Sequence, residues 1–342
     1  MDLNHIFILL LSSFITLTSI IILLPLARKL NLVDIPTERK SHLGKVPLIG
    51  GLSILIGVYV SVLGSLLDDN TFVTYMVSAF FILIVGLIDD RYPLSPKLRI
   101  ILQIIIILIT IELTELRFDT LDHSFGLNTQ INLGYFSYPV TVFGMLLVTN
   151  AFNLMDGADG VTAMLAIFVL LGINLIEILT LNYNFSPLNL ALIGSLIPFL
   201  KFNLINSKNK IFLGDSGSLF LGYTIAFLLL HETQINKNIS PPLALWMLAI
   251  PIFDVCAVMI YRFKNSSSLL KPDRSHLHHF LQRLGFNDIK VLLSIFGLSS
   301  IYLLLGIFLE NEFRSLSFPI FLFFLFLYIW FKSLSKFSKN NS

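Results

Sequence analysis

The feature that most constrains this chain is a succession of long apolar runs along almost its whole length. Each run has about 17–25 residues, the length that an α-helix needs to cross the ~30 Å hydrocarbon core of a bilayer. Only 13% of the 342 residues are charged, whereas soluble domains carry about 25%. The sequence therefore predicts an all-α polytopic membrane protein. We find eleven runs, at about 5–26, 48–66, 71–88, 98–114, 138–154, 161–181, 187–205, 216–231, 242–261, 291–309 and 316–332.

The Lys and Arg residues are distributed unequally between the segments that join these runs. Twenty of the 23 follow odd-numbered runs, and only Arg117, Lys237 and Arg314 lie on the opposite side. Because cytoplasmic loops are enriched in Lys and Arg, we predict about eleven transmembrane helices, with the N-terminus outside and the C-terminus in the cytoplasm.

The segments outside the runs are short, so we expect a single integral-membrane catalytic domain over 1–334 and a flexible cytoplasmic tail over 335–342. The longest outer loop alternates polar and apolar residues from Gln130 to Tyr135. This alternation is typical of a strand and predicts a small outer β-hairpin near 120–136.

Two adjacent carboxylates, Asp89 and Asp90, end the third run. Such a pair repels itself and requires a cation or a shared proton. Acids are disfavoured at a helix C-terminus, and unpaired charge next to the bilayer is costly. We therefore favour a functional pair over a solvated helix end. Lys97 and Arg99, which open the next run, are candidates for holding phosphate oxygens.

Further acidic residues lie where the fifth run ends and the eighth begins. Asn153, Asp156 and Asp159 are spaced three apart, so on a helical turn they would share a face, and their loop contains no Lys or Arg as a local partner. Asp215 offers a hard oxygen ligand for Mg²⁺, which typically takes one or two carboxylates plus substrate phosphate oxygens. Helix capping is the alternative for Asp159 and Asp215.

Three histidines, His276, His278 and His279, lie in the largest cytoplasmic loop, on a short helix predicted from Ser275 to Leu284. His276 and His279 would share a helical face. A structural zinc site is disfavoured, because the chain has one cysteine and no matching histidines elsewhere. Together with the preceding Arg274, the group is more typical of a phosphate or sugar clamp.

The first cytoplasmic loop carries basic residues next to the membrane headgroups, namely Arg39, Lys40, His42 and Lys45. They are candidates for holding a lipid phosphate. The alternative is plain anchoring by positive charge.

Taken in order, these motifs resemble those of one family, the polyprenyl-phosphate N-acetylhexosamine-1-phosphate transferases. The matching pieces are Asp34-x-Pro-x-x-Arg-Lys-x-His42 with Gly50-Gly51, Asp89-Asp90, Asn153-x-x-Asp-Gly-x-Asp-Gly160, Gly214-Asp-Ser-Gly217 and the histidine loop. The histidine loop with its Pro-Asp-Arg lead-in is similar to the branch that uses UDP-N-acetylglucosamine (UDP-GlcNAc). The chain departs from that branch at Ser267, where a cation is expected; Arg262 or Lys264 is then the substitute.

The resemblance implies a Mg²⁺-dependent enzyme, with Mn²⁺ as a substitute, in the plasma (inner) membrane of a bacterium. It would transfer GlcNAc-1-phosphate from UDP-GlcNAc to undecaprenyl phosphate at the cytoplasmic face, giving GlcNAc-diphospho-undecaprenol and UMP. This is the first lipid-linked step of a cell-surface polysaccharide. Direct attack by the lipid phosphate is favoured over a phospho-aspartyl intermediate.

The resemblance also implies a role for each matching residue. Asp215, with Asn153, would bind Mg²⁺, and Asp89 or Asp90 would deprotonate or orient the lipid phosphate. The nucleotide sugar would be contacted by Asp156, Asp159, Arg274, His276, His278 and His279. The lipid phosphate or the pyrophosphate would be held by Arg39, Lys40, His42, Lys45, Lys97 and Arg99.

Two other functions compete with this one. The first is phospho-N-acetylmuramoyl-pentapeptide transfer, which makes lipid I of peptidoglycan, on the other branch of the same family. The second is an ion-coupled transporter, which is disfavoured because transporters place ionisable residues near the bilayer midplane and show internal repeats. Here the run centres are nearly free of charge, and Glu177 lies near an outer end. A homodimer is compatible with the sequence, and no nucleic-acid partner is expected.

Overall fold

The structure is a computed structural model that describes residues 3–35, 44–66, 69–121, 131–181, 186–204, 209–264 and 276–337. Most of these residues are helical. The helices are α1 (Leu3–Lys29), α2 (Gly50–Leu66), α3 (Asn70–Arg91), α4 (Pro96–Thr114), α5 (Ser137–Met155), α6 (Val161–Leu179), α7 (Pro187–Leu204), α8 (Gly214–His231), α9 (Pro241–Met247), α10 (Ala249–Lys264), α11 (Leu277–Arg283), α12 (Asp288–Glu312) and α13 (Arg314–Phe337).

Within the described residues, seven helices are long and apolar enough to cross a membrane, and eight if a bent pair counts as one span. The seven are α1, α3, α5, α6, α7, α12 and α13, and the bent pair is α9 with α10. The chain is therefore a multi-pass membrane protein. The other predicted spans fall on α2, α4 and α8, which do not meet this measure, so the count of eleven stays a prediction.

Helix α8 lies at the centre of the molecule, where it packs against α2, α3, α5 and α6. Every residue from Ser216 to Leu230 is buried. A helix that is apolar around its whole circumference is expected to be enclosed on all sides. By contrast, only 11% of α13 is buried within the protein. The N-terminus of α8 is thus held by several helices at once, and it carries Asp215.

The ninth apolar run is broken into α9 and α10, whose axes differ by 79°. Pro251 lies four residues after Met247, the last residue of α9. Proline has no N–H to donate to the carbonyl of Met247, and its ring clashes with the preceding turn. The break therefore follows from the sequence.

Two short antiparallel strand pairs lie outside the helices. β1 (Val33–Asp34) pairs with β2 (Val46–Pro47), and Phe212 then connects this first loop to the start of α8, because the N–H of Gly50 donates to its carbonyl at 3.0 Å. β3 (Thr120–Leu121) pairs with β4 (Ile131–Asn132), in the region of the predicted outer hairpin; the connection at 122–130 lies outside the described residues.

The C-terminal tail was predicted to begin at 335. Helix α13 continues to Phe337, and residues 338–342 lie outside the described part of the chain. The predicted short helix in the histidine loop is present as α11.

Candidate active site

The carboxylate of Asp90 joins the end of α3 to the beginning of α8. It accepts hydrogen bonds from the backbone N–H groups of Asp215, at 2.7 Å, and Ser216, at 3.1 Å. The first N–H groups of a helix have no partner within the helix, and the helix dipole favours an anion there. Asp90 therefore supplies from another helix the cap that α8 lacks locally, and it fixes the backbone that carries Asp215.

A glycine one turn earlier on α3 makes this contact possible. A Cβ atom at Gly86 would lie 2.3 Å from the Cα of Ser216, so any side chain would force the two backbones apart. Because residues four apart on a helix share one face, the close approach at Gly86 brings Asp90 within reach of α8.

The two predicted metal ligands are adjacent in space. The side-chain amide of Asn153 donates to Asp215 Oδ1 at 2.6 Å and to the hydroxyl of Ser218 at 2.9 Å. Asn153 lies at the end of α5 and Asp215 in the first turn of α8. The structure thus brings together two oxygen-bearing side chains that are 62 residues apart.

The predicted common helical face of Asn153, Asp156 and Asp159 is wrong. Helix α5 ends at Met155, and Asp156 is already its C-cap, because the two glycines of the following turn interrupt the helix. Asp159 instead forms an ion pair with Lys210. The loop itself supplies no basic partner, and the one that Asp159 meets comes from the segment before α8.

Asp156 remains close to the other acidic groups. Burial raises the pKa of its carboxyl to about 8, a hydrogen bond with Thr162 opposes this shift, and repulsion by Asp215, Asp90 and Asp159 adds to it. A carboxylate whose charge is disfavoured by its like-charged neighbours attracts a cation or a proton. The turn after α5 and the start of α8 therefore form one electronegative centre.

Asp89 and Asp90, although adjacent, do not share a cation. Asp89 is 8% exposed; its carboxylate accepts from the guanidinium of Arg99 at 2.9 Å and from the N–H of Leu94 at 2.7 Å. Each carboxylate is compensated separately, Asp89 by Arg99 and Asp90 by the N-terminus of α8.

The histidine helix α11 lies against the turn after α5. His278 is 1% exposed, and a Cβ atom at Gly157 would lie only 2.1 Å from its Nε2. Burial, together with the neighbouring imidazoles of His279 and His276, lowers the pKa of His278 to about 3. His278 is therefore a neutral imidazole at the pH of a cell.

The three histidine rings lie side by side. His276 and His278 are parallel, with ring centroids 5.9 Å apart, and His279 is 4.2 Å from His278. The predicted shared face of His276 and His279 is wrong, because His276 precedes α11 as its N-cap and turns inward, whereas His279 is only partly buried beside Gln282.

Sequence reasoning missed one residue of this region, Asp254. It lies within the ninth apolar run and is fully buried, and its carboxylate accepts from His276 Nδ1 at 2.7 Å. An ionisable residue inside a membrane segment is itself a functional signal, so the sequence contained the information. The ninth run therefore carries a charged residue, contrary to the expectation that the run centres are nearly free of charge.

The remaining predicted residues divide into two groups. Lys45 and Lys97 are described and exposed. Arg39, Lys40, His42, Ser267 and Arg274 lie outside the described residues. Of the two proposed substitutes for the missing cation, Arg262 is buried.

The centre fits Mg²⁺ by its donor chemistry. Asp215 and Asn153 provide hard oxygen atoms, and the carboxyl groups of Asp90 and Asp156 lie close to them. Among the described residues, no three His, Cys, Asp or Glu side chains are placed to hold a metal by themselves. Mg²⁺ is typically held by one or two protein carboxylates together with substrate phosphate oxygens and water, and Asp215 with Asn153 would supply the protein's share.

Comparison with known proteins shows the family. Residues 72–232 match the model of glycosyl transferase family 4. The chain is 35% identical, over 82% of its length and 78% of the relative's, to an undecaprenyl-phosphate alpha-N-acetylglucosaminyl 1-phosphate transferase of Yersinia pestis. The chain belongs to glycosyl transferase family 4.

Two further relatives support membership of the family. The undecaprenyl-phosphate alpha-N-acetylglucosaminyl 1-phosphate transferase of Escherichia coli K12 is 33% identical over 77% of this chain and 72% of its own. A probable undecaprenyl-phosphate N-acetylglucosaminyl 1-phosphate transferase of Bacillus subtilis is 34% identical over 87% and 84%. The family model covers α3 to α8 and so includes Asp89, Asp90, Asn153, Asp156, Asp159 and Asp215, whereas Asp254 and the histidines lie beyond it.

Proposed function

We propose that this protein transfers GlcNAc-1-phosphate from UDP-GlcNAc to undecaprenyl phosphate, releasing UMP and leaving GlcNAc-diphospho-undecaprenol in the membrane. The observation that carries the proposal is the meeting of Asp90, Asn153 and Asp215 at one end of the central helix α8. The names of the relatives support the nucleotide sugar and the lipid acceptor, and they do not favour the lipid I alternative.

The proposed reaction is a displacement at the β-phosphorus of UDP-GlcNAc. An oxygen of the lipid phosphate forms the new bond to this phosphorus, the bond to the bridging oxygen of the pyrophosphate breaks, and UMP leaves with that oxygen. Phosphoryl-type transfer depends mainly on positioning and on neutralisation of charge. Asp215 and Asn153 would hold Mg²⁺, which would supply that neutralisation.

The acidic pair of α3 has two different tasks in this mechanism. Asp90 positions Asp215 by holding the N-terminus of α8. Asp89 and Arg99, paired at the boundary of the membrane, would receive the lipid phosphate: the guanidinium binds its oxygens and the carboxylate orients the guanidinium. Lys97, exposed in the first turn of the helix that carries Arg99, would add positive charge for an anionic headgroup.

The sugar nucleotide would lie between the turn after α5 and the histidine helix. His278 and Gly157 are in contact there, and Asp156 and Asp159 line the same turn. A neutral imidazole can donate one hydrogen bond and accept another, which suits a sugar or a uridine better than a bare phosphate.

The proposal includes an orientation. With eleven spans and the N-terminus outside, these motifs all face the cytoplasm of the bacterial plasma membrane. UDP-GlcNAc is water-soluble and the acceptor is a lipid, so the reacting groups must meet at the surface of the bilayer. This location is supported by the contacts of the start of α8 with the C-terminal ends of α3 and α5, which are two of the candidate membrane spans.

The test is UMP release by the purified protein in detergent, with UDP-GlcNAc, undecaprenyl phosphate and Mg²⁺ each omitted in turn. We expect release only when all three are present. Release from the muramoyl-pentapeptide nucleotide instead would assign the protein to the other branch. UMP release without the lipid, in an amount equal to the enzyme, would replace direct attack with a phospho-enzyme.

A further inference from the structure

Asp254 is a fully buried, ionised carboxylate with four hydrogen-bond donors around it. Its exposed fraction is 0%. Its Oδ1 accepts from the N–H of Leu277, at 3.0 Å, the hydroxyl of Tyr328, at 3.0 Å, and the ammonium of Lys332; its Oδ2 accepts from His276 Nδ1 at 2.7 Å.

This carboxylate and its donors join three separate parts of the chain. Asp254 lies on α10, His276 and Leu277 begin the histidine helix, and Tyr328 and Lys332 lie on the last helix, α13. A carboxylate accepts about four hydrogen bonds, and four donors reach this one, three at Oδ1 and one, His276, at Oδ2.

The contact with Asp254 fixes the state of the His276 ring. An ionised carboxylate can only accept, so Nδ1 of His276 must carry a proton, and the nitrogen on the opposite side of the ring, Nε2, is the one left for other chemistry. Histidines oriented by a buried carboxylate in this way depend strongly on that partner in metal sites, where its loss costs roughly 10–100-fold.

A continuous set of contacts leads from this carboxylate to the proposed sugar-nucleotide site. The ring of His276 is parallel to that of His278, and His278 lies against Gly157, next to Asp156. A shift of the His276 ring would therefore displace His278 and, through it, the turn after α5.

We propose that Asp254, together with Tyr328 and Lys332 of α13, is the positioning group that holds His276 in the orientation and tautomer needed to bind UDP-GlcNAc. The last helix is then part of the binding machinery and not only a membrane anchor. This inference rests on the proposed function, and it concerns residues outside the stretch that matches the family model.

The sharpest test is Tyr328→Phe, which removes one hydroxyl and no charge. The matched control is Tyr302→Phe, which removes a hydroxyl from the same aromatic cluster, where Tyr302 packs on Phe253. Calorimetry in detergent would give the Kd of UDP-GlcNAc, and UMP release the KM of undecaprenyl phosphate. We expect Tyr328→Phe to raise the Kd roughly tenfold, in line with the loss of an orienting partner, and to leave the lipid KM unchanged.

A double-mutant cycle separates positioning from general loosening of the fold. If Tyr328 acts through His276, Tyr328→Phe should have no further effect on the Kd in a His276→Ala background, because contacts in one network are not additive. An equal effect in both backgrounds would overturn the inference, as would a Tyr328→Phe variant that binds like Tyr302→Phe. Failure of the wild-type protein to bind UDP-GlcNAc would instead refute the proposed function.

Lys332→Met provides a second variant. It removes the positive charge closest to Asp254, and Lys290→Met, at an exposed position on α12, is its control. We expect Lys332→Met to weaken UDP-GlcNAc binding at least as much as Tyr328→Phe, because it removes a charged partner. Binding as tight as in the Lys290→Met control would contradict the proposal.

Discussion

Replacement of Asp90 by alanine tests the contact on which the geometry of the site depends. The carboxylate accepts two backbone N–H groups of α8, at 2.7 and 3.1 Å, and the residues around these donors, Gly214 and Ser216, are buried. In Asp90→Ala both donors lose their partner in a place that water reaches poorly.

The size of the effect follows from two opposing contributions. Hydrogen bonds to a charged group contribute about 1.5–3 kcal/mol each, so two of them would give roughly 3–6 kcal/mol. Repulsion between Asp90 and the nearby Asp215 is relieved by the same substitution and offsets part of this loss. We therefore expect the free energy of unfolding to fall by ~2–4 kcal/mol.

Asp69 provides a matched control, because it also caps a helix with a carboxylate. It accepts from the N–H groups of Thr71, at 2.8 Å, and Phe72, at 3.4 Å, but it is exposed at the other end of α3. Loss of an exposed N-cap costs ~1 kcal/mol. Asp69→Ala should therefore destabilise less than Asp90→Ala and leave UMP release unchanged.

The free energy of unfolding would be measured by denaturant titration in detergent. The signal for unfolding would be the labelling of Cys256, the single cysteine of the chain. Asp90→Asn separates the two roles of Asp90, since its amide oxygen can still accept one N–H. If Asp90 only positions α8, Asp90→Asn should retain far more UMP release than Asp90→Ala. Two results would contradict the positioning role of Asp90. One is a loss of stability for Asp90→Ala no larger than that for Asp69→Ala, and the other is equal inactivation by both Asp90 variants.

Three further predictions concern other parts of the site. Asp215→Asn should reduce Mg²⁺-dependent UMP release by several orders of magnitude without loss of folded protein; retained turnover would remove Asp215 as a metal ligand. Gly157→Ala should weaken UDP-GlcNAc binding, because its Cβ would meet His278 Nε2 at 2.1 Å, whereas Gly297→Ala, with no atom within 4 Å, should not; equal affinities for the two variants would argue against that contact. Finally, the pKa of Asp156 rises on folding from 3.8 to about 8. Between these two pH values the folded state retains a proton that the unfolded state has released. The free energy of unfolding without metal or nucleotide should therefore fall as the pH rises from about 4 to about 8. Asp156→Asn should flatten this dependence, which denaturant titrations at several pH values would measure; an unchanged slope would show that Asp156 does not titrate in this way.

The sequence by itself determined the class of protein and the set of motifs. Long apolar runs are stable only in a membrane or in a protein interior. The acidic and histidine motifs lie at the ends of those runs. Because polar residues at such ends face water, their common location could be predicted without a structure. The family was predicted from the same motifs, and the relatives confirm it.

The tertiary structure decided which residue each charged group meets. Three contacts join residues that are far apart in the sequence. The separation is 125 residues for Asp90 and Asp215, 51 residues for Asp159 and Lys210, and 78 residues for Asp254 and Lys332. Sequence patterns report periodicity within one helix, but they do not tell which helix ends lie side by side. Adjacent Asp89 and Asp90 therefore looked like one pair in the sequence, and only the packing of α3 against α8 gave them different partners.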